Sequence, residues 1–383
     1  MTTATSTNQG RWRRWALWAI VLAMGLAGIP QTWALLHFQP AGVDFLPLWT
    51  AGRMAWTAPQ GIYDFAAVTH AQDWLLGHLR WPRPYAYPPS ALLILAPFGA
   101  LPFWVALGLW SALGLGVFLV AGARMAPSGR GLTLALMTLA PPVVLALAVG
   151  QMTLLAAGLA AMAVVELKVR PKLAGVLFAV AAVLKPQAVL LAPVALVACG
   201  AYEALASAAL VGAALVALSA IVFGPARWIE WLASLGPFQA VVEEIPRLMM
   251  GVITPYAAGR ELGLSGDALT VWRAAFALFA LAAVWWAFRR QESSARRLGA
   301  LMGGGLLITP YAMHYDGSLL IPAAAVMAVS AVGEAGWLLR LVALGAACEV
   351  TTPYLGALLV TAFVLLSGID PPAPRVAAPL GLS

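Results

Sequence analysis

Residues 131–200 read GLTLALMTLAPPVVLALAVGQMTLLAAGLAAMAVVELKVRPKLAGVLFAVAAVLKPQAVLLAPVALVACG. Apolar runs at 131–149, 150–166, 173–184 and 188–203 meet at Gly150-Gln151, at the basic connection Lys168, Arg170 and Lys172, and at Lys185-Pro186-Gln187. Apolar helices that turn back on themselves, with Lys and Arg gathered at one set of turns, are the pattern of a chain threading a bilayer under the positive-inside rule. The fold class expected is therefore an all-α polytopic integral membrane protein.

The rest of the 383 residues agree. The chain is 62% apolar and 10% charged, where a soluble domain carries roughly 25% charged residues. A chain so poor in charge cannot cover a surface against water. The net charge of +7 comes from placed clusters: Arg11, Arg13 and Arg14 before the first apolar run, Lys168–Lys172, and Arg289, Arg290, Arg296 and Arg297. No basic stripe interleaved with aromatics points to nucleic acid. Cys199 and Cys348 each lie inside an apolar run and read as small buried hydrophobes.

Parity then sets a topology. With the amino terminus inside, residues 15–36 cross outward as a retained anchor helix and 37–86 form an outer loop. Taking Lys168–Lys172 as inside brings Gly150-Gln151 and Lys185 to the outer face. Residues 205–223 lead to a second outer loop, 224–267; 268–288 descend to the basic run, and 298–313 rise to His314-Tyr315-Asp316. Residues 317–333, 337–352 and 354–368 complete the membrane part. Arg124 and Arg130 prefer the inside, which leaves 88–102 as a re-entrant or partial helix before 103–123. The sum is about 11–13 transmembrane segments. Residues 1–14 are then a cytoplasmic basic terminus, 15–368 one membrane domain, and 369–383 a Pro-rich cytoplasmic tail. Runs such as 173–184 are short for a span, and short or Pro-broken helices are tolerated where they line a cavity.

Four polar groups converge on the outer face: Asp44, Gln151, Lys185, and His314 with Asp316. Ionisable groups at membrane depth are costly and are functional candidates by default. Asp44 has two readings, a helix cap for 45–56 or a general base that takes a proton from an attacking hydroxyl. A sugar on a lipid phosphate already carries a stable anionic leaving group, so one base suffices where a glycosidase needs two carboxylates, with cations to hold the departing phosphate. Lys185 is such a cation, or a lysine snorkelling from a helix end. His314 is a ligand for the same phosphate or a structural histidine. Arg53 orients Asp44, binds phosphate, or is a solvated surface arginine. Tyr87 in Tyr85-Ala86-Tyr87-Pro88-Pro89 faces a sugar ring, or belongs to a Pro-initiated helix start. No cofactor is indicated by the residues, and no metal-ligand set stands out; a divalent metal is compatible with the sequence, since an ion held mainly by substrate phosphate would leave little trace.

In order along the chain, Gly42-Val43-Asp44-Phe45, Gly61-Ile62-Tyr63-Asp64, Tyr87-Pro88-Pro89, Gly150-Gln151, Leu184-Lys185-Pro186, and Thr309-Pro310-Tyr311 ahead of His314-Tyr315-Asp316 resemble glycosyltransferase family 87. These are polyprenyl-phosphate-mannose-dependent α-mannosyltransferases of bacteria. The resemblance spans about residues 38–325. It implies a C-type glycosyltransferase (GT-C) fold in the inner membrane. It also implies inverting transfer from a polyprenyl-phosphate sugar donor to a lipid or glycan acceptor at the periplasmic face. The family's catalytic Asp carries onto Asp44, a late His near the donor phosphate onto His314, and the Lys-Pro pattern onto Lys185. Where the family often has Asn shortly after Gly-Gln, this chain has Thr153.

Two other classes fit an all-helical membrane chain. A transporter or flippase of a lipid-linked sugar places its site near the midplane between two repeats; here no repeat is visible and the polar groups gather at one face. A noncatalytic scaffold binding a lipid-linked glycan would tolerate loss of the Asp44 carboxylate.

Overall fold

A computed structural model of the chain describes residues 3–38, 40–76, 83–126, 128–244, 251–330, 345 and 353–368. Among these the fold is all-helical, with one isolated antiparallel bridge, Val252 to Met313. The expected segment 337–352, with Arg340 and Cys348, lies outside the described residues, as do Arg80, Arg247, Glu334 and the tail 369–383.

The chain begins with α1 (Thr3–Phe38), which contains the expected span 15–36. Among the described residues three unbroken helices are long and apolar enough to cross a membrane: α5 (Phe103–Met125), α11 (Tyr202–Phe223) and α14 (Gly266–Arg290). The α11 side chains show what solvent it is built for: only Ala204 and Ser219 are buried, while Leu210, Leu218 and Ile221 stand exposed. An apolar helix left open in this way suits lipid surroundings, and several apolar helices of this kind mark a multi-pass membrane protein.

The run expected as one crossing at 131–149 is two helices, α6 (Arg130–Leu139) and α7 (Pro141–Val149), bent by 53°. Pro141 and Pro142 are the cause. The residue before a proline is driven out of the helical region, and Ala140 is extended, with ψ 129°. Residues 88–102 give a single 3-10 turn and the eight-residue α4 (Leu92–Gly99), too short to span.

Both expected outer loops are largely helical. The first holds α2 (Phe45–Thr57) and α3 (Phe65–Leu76); the second holds α12 (Ala226–Glu244) and α13 (Pro255–Glu261). Length and polarity marked these stretches as non-spanning, but their helicity comes from docking. α2 meets α4 backbone to backbone: a Cβ on Gly99 would lie 2.2 Å from the Arg53 nitrogen. The indoles of Trp49 and Trp56 then donate to the Leu101 and Ala96 carbonyls at 2.9 and 2.7 Å. α12 is tied down by Trp228 Nε1 to Ser219 Oγ (3.2 Å) and by Trp231 Nε1 to the Ala86 carbonyl (3.1 Å).

The centre is α8 (Thr153–Glu166) and α9 (Pro171–Leu184), each 14 residues, or about 20 Å. One face of α8 is a run of fully buried alanines, Ala156, Ala157, Ala160, Ala161 and Ala163. Small residues of this kind let helices approach closely in lipid. At the far end of α8, Glu166 accepts from Arg124 at 2.6 Å, and Lys168 pairs with Glu292. The 168–172 connection, the end of α5 and the basic run that joins α14 to α15 (Ser294–Ile308) therefore share one end of the molecule. The near end, where α8 begins and α9 stops, is the candidate site. The short α10 (Ala192–Ala198) lies between α9 and α11 in the chain, and two further helices, α16 (Ile321–Ser330) and α17 (Pro353–Gly368), pack against α15.

Candidate active site

The site is assembled from the end of α7. Gly150 has φ +74°, the left-handed conformation that stops a helix. The Gln151 N–H closes back on the Ala146 carbonyl at 2.8 Å, and that of Gly150 on Leu147 at 3.2 Å. The next carbonyls of the same helix end accept from the segment before α2: Gly42 N–H to Ala148 at 2.8 Å and Asp44 N–H to Val149 at 2.9 Å. Carbonyls that a helix end leaves orphaned thus fix Asp44 beside Gln151.

Asp44 sits at the N-cap position of α2 but makes no side-chain cap hydrogen bond. Its carboxylate turns elsewhere: Oδ2 accepts from Gln151 Nε2 at 2.8 Å and Oδ1 from the Arg83 guanidinium at 3.0 Å. The Asp44 side chain keeps 12% of its surface open, enough to meet a ligand and too little for free hydration.

Two residues after Gln151, Thr153 opens a second cluster. Thr153 Oγ1 donates to Asp316 Oδ1 at 2.8 Å, and Lys185 Nζ reaches Thr153 Oγ1 at 2.9 Å and Asp316 Oδ1 at 2.5 Å. Asp316 Oδ2 accepts from the Met313 N–H at 3.0 Å. Lys185 and Asp316 are both buried, each side chain 3% exposed. Lys185 ends α9 in an extended conformation, φ −145° and ψ 80°, as the following Pro186 requires.

His314 is half-buried and opens the 3-10 turn His314–Leu319; its N–H donates to the Gly251 carbonyl at 2.8 Å. Burial pushes the phenol of Tyr87 well above the ordinary tyrosine range, and the carboxylates of Asp316 and Asp44 both push the same way. Tyr87 therefore lies within electrostatic reach of both clusters.

Of the residues singled out in the sequence, Asp44, Gln151, Lys185, Tyr87, Asp316 and His314 are brought to this end of the molecule. Arg53 is not brought to Asp44. It is exposed on α2, its guanidinium 5.5 Å from the Trp49 ring centre, because a helix carries residue 53 well away from a carboxylate at its first turn. The arginine on Asp44 is Arg83, whose carbonyl is held by the buried Gln72 amide at 2.8 Å. Its one local signal in the sequence is a proline on each side, Pro82 and Pro84. Thr153, noticed only as a departure from a pattern, is a bonded member of the second cluster. Among the described residues no group of three or more His, Cys, Asp or Glu side chains is arranged to hold a metal ion.

The model of glycosyltransferase family 87 matches residues 85–310. The chain belongs to glycosyltransferase family 87. It is therefore a membrane glycosyltransferase, an enzyme that moves a sugar from a donor to an acceptor, and the transporter and scaffold readings are set aside. No curated protein and no solved structure matches the chain. The part matched to family 87 takes in Tyr87, Gln151, Thr153 and Lys185. Asp44 and Arg83 precede it and His314 and Asp316 follow it; Gln151 bonds to Asp44, and Thr153 and Lys185 bond to Asp316.

Proposed function

We propose that this family 87 enzyme transfers a hexose, mannose foremost, from a polyprenyl-phosphate donor to a lipid or glycan acceptor, with inversion. Asp44 is the general base. The observation that carries this reading is the state of the Asp44 carboxylate: placed to cap a helix, it is instead gripped by Gln151 and Arg83 and left partly open.

In the reaction the acceptor hydroxyl gives its proton to Asp44 as its oxygen attacks the anomeric carbon. The bond from that carbon to the phosphate oxygen breaks, and the electron pair leaves with polyprenyl phosphate. The proton passes from Asp44 to water. Gln151 holds the carboxylate in one orientation, which counts because small misplacements of a reacting group are expensive. Arg83 is the cation placed to meet the leaving phosphate. His314 lies on the phosphate side, and Tyr87 borders the sugar. Lys185 has its charge answered by Asp316, so it serves as a positioning residue for the segment that carries His314.

A GT-C fold with about 11–13 membrane segments belongs to this reading: the bent pair 130–149, the shorter apolar helices at 18–34, 153–166, 171–184, 186–198, 321–330 and 354–368, and α15 add to the three helices of full length. Residues 15–368 form the single catalytic domain. The basic clusters support a cytoplasmic amino terminus, and with it a site on the periplasmic face of a bacterial inner membrane.

The test is purified protein in detergent with polyprenyl-phosphate-mannose and a panel of lipid and glycan acceptors, with products read by mass. Asp44→Asn should form no product. Equal donor consumption by wild type and Asp44→Asn would remove the assignment.

A further inference from the structure

A second concavity lies beside the site. It has a volume of about 400 Å³ and is lined by Gln60, Tyr63, Asp64 and Phe65 on one wall and by Glu230 and Ser234 of α12 on the other. We propose that this cleft seats the acceptor and takes an uncharged polyhydroxyl group, a sugar residue. The inference rests on the glycosyl-transfer reading above and adds the acceptor's place to it.

Charge decides which substrate the cleft suits. Two carboxylates line it and no cation does; the nearby Arg227 guanidinium is drawn to Glu230. A phosphate brought here would be repelled, whereas the Asp44 region supplies Arg83. The donor phosphate is thus disfavoured in the cleft. Hydroxyl groups are both donors and acceptors, and carboxylates, an amide and a serine are partners for them. The rings of Tyr63 and Phe65 offer apolar surface to the C–H face of a sugar. The volume falls in the range of small-ligand sites.

Continuity with the reaction centre comes from the backbone of Ala86-Tyr87. Tyr63, in one wall, donates its hydroxyl to the Tyr87 carbonyl at 2.8 Å, and Trp231, from the helix of the other wall, donates to the Ala86 carbonyl at 3.1 Å. Both walls are pinned to the segment that delivers Arg83 to Asp44. Glu230, Ala233, Ser234 and Pro237 line the cleft from one face of α12, at helical spacing, while Ile229 and Leu232 are exposed and apolar on another. Such a helix rests at a membrane surface with its polar side turned to the cleft. Asp64 has a plainer duty too, capping α3 through the N–H groups of Ala66 and Ala67 at 2.9 and 3.1 Å, so it is the wrong residue to mutate in a test.

The experiment uses the full chain in nanodiscs, polyprenyl-phosphate-mannose as donor, and methyl and hexyl glycosides of glucose and mannose as probe acceptors. Glu230→Gln and Gln60→Ala should each raise the KM for the probe at least tenfold, with the donor KM within twofold of wild type. Gln60 is exposed, so its truncation leaves folding intact even if Glu230→Gln does not. Direct binding of the hexyl glycoside to Asp44→Asn protein, measured by calorimetry, should be lost on adding Gln60→Ala. Tighter binding of hexyl than methyl glycosides supports the cleft with a lipid-linked acceptor; equal binding supports it with a free glycan. Unchanged acceptor KM in both cleft variants, or no saturable binding of any probe to wild type, overturns the cleft while an inactive Asp44→Asn leaves the transfer reading standing. Turnover by Asp44→Asn instead overturns the transfer reading, and the cleft proposal with it.

Discussion

Gln151 reaches Asp44 across 107 residues of chain, its Nε2 donating to Oδ2 at 2.8 Å. The contact is set by backbone on both sides: Gln151 completes the end of α7, and the Gly42 and Asp44 N–H groups donate to the Ala148 and Val149 carbonyls that remain there. Replacing Gln151 by Glu keeps the shape and adds a like charge. Like charges at this distance repel, so the hydrogen bond from Gln151 to Asp44 is lost and the carboxylate is pushed out of place, and kcat should fall further than in Gln151→Ala. Gln151→Ala removes only the orienting contact and should lower kcat by up to ~100-fold. Steady-state kinetics on the three proteins separates the electrostatic role from the orienting one.

Arg83 should be felt in the donor. A hydrogen bond to a charged group contributes about 1.5–3 kcal/mol, so Arg83→Ala should raise the donor KM about 10- to 100-fold. Arg83→Lys should recover only part of this, because an ammonium cannot reproduce the guanidinium fork. Arg53→Ala serves as the control and should leave the donor KM within twofold, its guanidinium being on Trp49. A donor KM that responds to Arg53 and not to Arg83 would reverse the assignment.

Lys185 and Asp316 make a different prediction, about stability. Removing one partner of a buried pair strands the other charge, at a cost of about 3–5 kcal/mol. Lys185→Met and Asp316→Asn should each lower the thermal midpoint strongly in detergent. The double variant Lys185→Met with Asp316→Leu should recover much of the loss, since an apolar pair of similar volume often replaces a buried ion pair without penalty. If Lys185 served mainly as a phosphate cation, its loss would raise the donor KM and spare the midpoint.

How much of this was legible in the sequence differs residue by residue. Asp44, Gln151 and Lys185 could be brought to one end by parity, because the positive-inside rule acts on short basic connections such as 168–172 and needs no tertiary detail. Arg53 and Arg83 could not be told apart that way. Both lie in the same outer stretch, and which one meets Asp44 depends on α2 leading residue 53 away and on Gln72 holding the backbone at residue 83. The break in 131–149 was written in Pro141-Pro142 yet hidden inside a run of the right apolar length. The helices in 226–244 and 255–261 owe their place to indole bonds with Ser219 and Ala86 and to Thr254 capping Ala257, contacts no local pattern reveals.

Gly150 tests the link between backbone and chemistry. A Cβ there would lie 2.6 Å from the Phe45 Cβ and 2.7 Å from Leu107 Cδ1, at φ +74°. The left-handed conformation alone costs a residue with a side chain about 1–2 kcal/mol, and both neighbours are held in helices, Phe45 at the start of α2 and Leu107 within α5. Gly150→Ala should lower the midpoint and cut kcat together, because Phe45 moves with Asp44. A normal kcat in Gly150→Ala would mean that the base does not depend on this helix end.

Topology is the last prediction, and it needs no substrate. Gln60 lies in the stretch between α2 and α3, near the Asp44 end of the molecule; Arg170 lies beyond the far end of α8, where Glu166 and Lys168 are paired with Arg124 and Glu292. The two positions are separated by the length of α8, about 20 Å along the helix. In intact cells whose Cys199 and Cys348 have been changed to Ser, Gln60→Cys should react with a membrane-impermeant maleimide and Arg170→Cys should react only after the membrane is opened. Equal labelling of both from outside would break the parity argument. Reversed labelling would put Asp44 on the cytoplasmic face, where a periplasmic polyprenyl-phosphate donor cannot reach it, and the proposed reaction would fall with it.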